Sequence, residues 1–153
     1  HLVLQIATGA LLHDIGMLVL DRTLGAGYGG ILADARDKGR PLFEVEQATL
    51  GTDHADVGGR LLEVWRMPTV LAQAVADHHN PLANDNVAAQ LVHLADFICN
   101  QHDIHHSPNS KFVAAVPEVW EELGLAESDL PGIVTDMYAG LAKADAILAA
   151  AAS

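Results

Sequence analysis

Between Leu2 and Ala150 no run of residues alternates strictly between polar and apolar, and the apolar positions recur at helical spacing instead. That pattern, cut by glycines and prolines, confines the chain to an all-α fold. An apolar helix is expected from Leu2 to about Leu20, breaking near Gly16. A second runs from Tyr28 to Lys38, ended by Gly39 and Pro41. Pro41 suits the start of a third, which carries Glu44 and Glu46 in its first turns and ends near Gly51. Thr52 or Asp53 can cap a fourth, from His54 to Trp65. Pro68 opens another over Thr69 to His78 or His79, which Asn80-Pro81 stops. Further helices are expected at Asn84 to Cys99, Pro117 to Leu123 and about Ile133 to Ala150. In the last of these Ile133, Val134, Met137, Tyr138, Leu141 and Leu148 share a face.

Composition narrows the setting. The 153 residues are half apolar, enough for a substantial core. A net charge of -12 argues against a nucleic-acid or anionic-membrane partner, since phosphate would be repelled. The single cysteine, Cys99, allows no intramolecular disulfide and suits a reducing compartment, so a cytoplasmic location is expected. No apolar stretch is expected to reach the roughly 18 to 20 residues of a bilayer span. The first twenty residues lack the basic start of a signal peptide. The apolar pattern begins abruptly at His1-Leu2-Val3 with no capping residue ahead, so the chain is expected to start inside a domain whose upstream helices precede it. Residues 1–111 are expected to form a helical core and 112–153 an extension packed on it.

Histidines and aspartates recur in one order: His13-Asp14, His54, His78-His79, Asp96. Imidazole and carboxylate together make a divalent-metal ligand set. Leu11, Leu12 and Ile15 anchor His13-Asp14 in a core, and Gly16 is expected to let the chain turn away. His54 lies at a helix start. His78-His79 lies at a helix C-terminus, where the dipole would favour protonation of a metal-free imidazole. His93 and Asp96 stand three apart and share a face; His93 reads as a packing or supporting residue. Any one of these histidines alone is ordinarily hydrogen-bonded packing. The joint pattern favours ligands, with one or two ions of Fe, Mn, Ni, Co or Zn as candidates and soft metals disfavoured for want of a thiolate.

The strings that carry these residues resemble the HD superfamily and, within it, the HDOD domain. They are Gly9-Ala10-Leu11-Leu12-His13-Asp14-Ile15-Gly16, Gly39-Arg40-Pro41-Leu42-Phe43-Glu44-Val45-Glu46, Leu50-Gly51-Thr52-Asp53-His54-Ala55-Asp56-Val57-Gly58, Leu61-Leu62-Glu63-Val64-Trp65-Arg66-Met67-Pro68, Asp77-His78-His79-Asn80-Pro81 and Leu91-Val92-His93-Leu94-Ala95-Asp96. The resemblance runs roughly from Ala7 to Gln101 and implies a helical bundle of HD type, lacking its upstream helices. It also implies a setting in bacterial signal transduction beside regulatory domains. Many HDOD domains are thought to act by protein interaction, whereas the related HD-GYP family hydrolyses cyclic di-GMP. His13, Asp14, His54, His78, His79 and Asp96 match most HD-GYP metal positions. The Gly-Tyr-Pro loop that should follow His78-His79 is replaced by Asn80-Pro81-Leu82-Ala83-Asn84, and Gly27-Tyr28-Gly29 is not that motif. The superfamily's first metal histidine, expected well upstream of His13, has no match, since His1 is too near. Met17 stands where a lysine often follows His-Asp-Ile-Gly.

Two functions compete. The first is a regulatory module of HDOD type with a retained or residual metal site, acting mainly on signalling partners or an adjacent regulatory domain. The alternative is a metal-dependent phosphohydrolase of nucleotides or cyclic dinucleotides, with Asp14 as the bridging, catalytic carboxylate. Among other features, Gln101-His102-Asp103-Ile104-His105-His106 has metal-like composition but reads as a solvated polar loop extending to Lys111. Gly25-Ala26-Gly27-Tyr28-Gly29-Gly30 reads as a turn into a helix, because no strand precedes it and no Gly-Lys-Ser/Thr follows. Trp65 and Trp120 read as packing. The last helix docks on its own core or offers an interface, and missing upstream helices would favour a homodimer.

Overall fold

The apolar start of the chain folds as two helices, α1 (Leu2–Leu12) and α2 (Ile15–Leu24), separated by a turn at His13-Asp14. The computed structural model describes residues 2–102, 104 and 115–151. The break therefore falls at the polar pair and not at Gly16. Asp14 occupies the N-cap position of α2 but makes no side-chain cap hydrogen bond, which leaves its carboxylate for other partners. Gly16 lies buried inside α2 and serves close approach: a β-carbon there would meet the His54 carbonyl oxygen at 1.9 Å and the Gly58 nitrogen at 2.8 Å.

By length and composition alone, Val3–Leu24 is long and apolar enough to cross a membrane, its 22 residues containing an 18-residue stretch with a mean hydropathy of 1.7. This corrects the expectation that no stretch is. The same segment carries a turn and a polar pair at its middle, and backbone groups opened by a turn have no partner in lipid.

Then follow α3 (Ala26–Lys38), α4 (Leu42–Leu50), α5 (His54–Val64), α6 (Thr69–Ala76), α7 (Val87–Gln101) and α8 (Pro117–Glu122). Gly39 and Gly51 close α3 and α4 in the left-handed conformation. Asp53, not Thr52, caps α5, its side chain accepting from the Asp56 N–H at 3.0 Å. The helix that begins at Thr69 stops at Ala76, so His78 and His79 sit in the turn beyond it. Asn86 caps α7 by accepting from the Ala88 N–H, and its Nδ2 donates to the Val70 carbonyl of α6 at 3.2 Å. Among the described residues there is no strand.

The chain divides into two compact units, 1–119 and 120–153. In the first, α5 packs on α2 and α6, while α1 packs on α6 and α7. One core cluster joins Leu20, Tyr28, Ile31, Ala35, Leu42 and Val45; a second joins Leu62, Leu71, Ala72 and Val75. Leu12 and Ile15 pack on the second cluster and Met17 on the first. The His13-Asp14 turn is thus gripped from both sides, and Met17 is a packing residue. The second unit holds a 3-10 turn (Glu127–Asp129) and α9 (Leu130–Ala151). Along α9, Ile133, Val134 and Met137 are half-buried, and Tyr138, Leu141 and Leu148 are exposed. Trp120 is buried as expected, but Trp65 is exposed.

Candidate metal centre

Six residues from four places in the chain meet between α1, α5, α6 and α7. His13 and Asp14 come from the turn after α1, His54 from the first position of α5, His78 and His79 from the turn after α6, and Asp96 from within α7. One ligand atom each from His54, His78 and His79 lie within 4.8 Å of one another, and so do those from His13, Asp14 and His78. Asp96 Oδ1 stands 3.6 Å from His13 Nε2. The Asn100 side chain, one turn along α7, donates to the same Asp96 oxygen at 3.1 Å.

Hydrogen bonds fix how the rings face. His13 Nδ1 contacts the Ala10 carbonyl at 2.8 Å, and His78 Nδ1 contacts the Val75 carbonyl at 2.7 Å. His54 Nδ1 contacts Glu46 Oε2 at 2.6 Å. A carbonyl or carboxylate oxygen only accepts, so all three rings carry a proton on Nδ1 and turn Nε2 toward the cluster. Two of those Nε2 atoms flank Asp14, which lies 3.3 Å from His13 through one oxygen and 3.3 Å from His54 through the other. The third, His78 Nε2, is buried and has no hydrogen-bond partner among the described residues, as is true of His79 Nδ1. His79 Nε2 is 2.8 Å from His54 Nε2, and its ring stacks on Phe43 with centroids 4.3 Å apart.

The charges divide the histidines. Burial opposes protonation of His13 and His54, but the facing carboxylates outweigh it. Asp14 and Asp96 raise His13 from 6.5 to about 11, and Asp14 with Glu46 raises His54 to about 9. Burial would raise Asp14, yet the two imidazoles hold it well below the usual carboxylate range. His78 and His79 go the other way. Burial, and then the neighbouring imidazoles, push both down, so they are neutral. The expected protonation of His78-His79 by a helix dipole is therefore overturned: the pair lies beyond the helix end and inside the core, where desolvation dominates.

A buried Nε2 lone pair without a partner is costly, and imidazole nitrogens facing carboxylate oxygens suit a divalent cation. On both counts this donor set fits a metal ion.

His93 is not one of the donors. Its Nδ1 donates to the His78 carbonyl at 2.7 Å, and its Nε2 accepts from the Val116 N–H at 3.2 Å. Both nitrogens are consumed, so it supports the His78 backbone. Of the polar run after α7, His102 ends the helix, while Asp103, His105 and His106 lie outside the described residues, as does 107–111. Glu46 stands outside the histidine–aspartate series but contacts the cluster through His54. It is fully buried and accepts from the Tyr28 hydroxyl at 2.5 Å, from the His54 N–H at 2.9 Å and from His54 Nδ1. Its signal was readable: it follows Leu42 by four and Val45 by one, an acid on the apolar face of α4.

An all-helical bundle that gathers His-Asp, His, His-His and Asp around one point is a scaffold of HD type. The HDOD domain family matches residues 3–81, just over half of the chain, and the chain belongs to that family. No curated protein and no solved structure matches it. Asp96 lies beyond the matched residues.

Proposed function

We propose that this chain is a regulatory HDOD module of bacterial signalling. One or two divalent ions (Fe, Mn, Ni, Co or Zn) are held on His13, Asp14, His54, His78, His79 and Asp96. The module acts in the cytoplasm, mainly through contact with protein partners or an adjacent regulatory domain. One observation carries the metal reading: three rings are pinned through Nδ1 with Nε2 facing the cluster, and the His78 Nε2 is buried without a partner among the described residues. Such outer hydrogen bonds fix the tautomer and orientation of metal-binding histidines. The interaction role is supported by membership of the HDOD family and by charge. Among the described residues the cluster aspartates form ion pairs only with histidines, an arrangement without the lysine or arginine that commonly clamps a phosphate.

A second reading is a metal-dependent phosphohydrolase, favoured by Asp14 standing between His13 and His54 with one oxygen toward each. Bound divalent ions would supply Lewis acidity there, and Asp14 would be among the residues holding them. Elemental analysis of the chain purified without chelator, beside Asp14→Ala, tests the site. Near-stoichiometric metal that is lost in the variant supports it, and a metal-free wild type rejects it. Turnover of phosphodiesters or cyclic dinucleotides by the loaded protein would favour the second reading over the first.

A further inference from the structure

We infer that Glu46 and Tyr28 are positioning residues for the ion: Glu46, held by the Tyr28 hydroxyl, fixes His54 with Nε2 toward the site and places negative charge behind it. This rests on the metal reading above. Glu46 is 0% exposed and Tyr28 1% exposed. Burying a carboxylate among apolar neighbours is expensive unless it is paired. Its neighbours on the buried face of α4 are Leu42 and Val45, and an apolar side chain would fill the same place at lower cost. Among the described residues no lysine or arginine pairs with it; its hydrogen bonds go only to Tyr28 and to His54, the latter through both backbone and ring. Tyr28 lies in α3, Glu46 in α4 and His54 at the start of α5, so three helices build one chain of contacts ending at an inward-facing ring nitrogen.

The rival explanation is purely structural: Glu46 satisfies the first N–H of α5 and does nothing for the ring. The two diverge when charge is removed without shape. Glu46→Gln keeps an acceptor for the His54 N–H but removes the anion facing Nδ1. The 153-residue chain, stripped of metal, is titrated with Co2+ alone, and the visible d–d absorption is followed for wild type, Glu46→Gln and Tyr28→Phe. The expected result is a loss of Co2+ affinity of about 10- to 100-fold in Glu46→Gln with displaced d–d bands. Tyr28→Phe should show a smaller loss in the same direction. Wild-type affinity and an unchanged spectrum in Glu46→Gln overturn the inference. If that variant does not fold, Tyr28→Phe decides: weaker binding supports the chain of contacts and unchanged binding overturns it. A wild type that binds no Co2+ overturns the metal reading, and this inference with it.

Discussion

Gly16 lies so close to the main-chain carbonyl of His54 that a β-carbon on it would sit 1.9 Å from that oxygen. The α2–α5 contact on which the cluster depends is therefore made by backbone against backbone. Gly58 and Gly59 continue it: β-carbons there would meet Val75 Cγ1 at 3.0 Å and Ala76 Cβ at 2.6 Å. These glycines set the spacing of α2, α5 and α6, and with it the distance between Asp14 and His54.

Gly16→Ala should destabilise the protein by about 1–3 kcal/mol or more, because helices and not a flexible side chain must move. Gly29→Ala is the control. A β-carbon at Gly29 meets nothing within 4 Å, so alanine in that exposed helical position should be neutral or stabilise by up to about 1 kcal/mol. Urea unfolding of both variants checks the contrast. Equal midpoints would refute the close-contact role of Gly16.

The all-helical architecture could be read from apolar spacing, and most helix ends from Gly39, Gly51, Pro41 and Asp53. Spacing marks Gly16 as the breaker of the first helix, whereas the polar pair ahead of it makes the turn. Periodicity cannot say that a glycine serves interhelical contact. The six clustered histidines and aspartates were visible as a series because they differ in chemistry from their apolar neighbours. Glu46 could be placed on the apolar face of α4 by its spacing from Leu42, but its role could not, because the partners that make its burial possible, Tyr28 and His54, arrive from other helices. The charge state of His78 and His79 was also invisible, since it is set by burial and not by position along α6.

Metal loading should raise the melting temperature. An ion at about 100 times its Kd contributes about 2.7 kcal/mol, or roughly 5–10 °C for a chain of this size. Differential scanning calorimetry with and without EDTA measures this. Asp14→Ala should melt at the same temperature under both conditions.

His93 and His78 should behave differently when lost. His93→Leu leaves the buried His78 carbonyl and the Val116 N–H without their side-chain partner, at a cost of about 1–3 kcal/mol. Because His93 supplies no ligand atom, metal stoichiometry should survive with reduced affinity. His78→Ala removes the residue shared by both groups of ligand atoms and should lower stoichiometry itself. Elemental analysis after dialysis distinguishes the two, and loss of stoichiometry in His93→Leu would contradict its supporting role.

The metal-free protein should be most stable near the ordinary histidine pKa and weaken on either side. His13 and His54 are raised from 6.5 to about 11 and about 9, against the opposing effect of burial. A group raised on folding contributes stability that is complete below its unfolded value and is lost as pH climbs through the folded one. Stability should thus fall as pH rises from about 6.5 through about 9. His78 and His79, held down by burial, have the opposite sign: as pH drops below 6.5 the unfolded chain takes up protons that the folded rings refuse. Metal uptake must displace the protons on His13 and His54, so affinity should rise over the window in which metal-free stability falls. Urea midpoints in EDTA, taken from about pH 5 to about pH 10, trace both limbs. Asp14→Asn should flatten the alkaline limb, because Asp14 faces both raised rings. A wild-type midpoint that stays level across that limb would show that the two imidazoles are not charged in the metal-free fold.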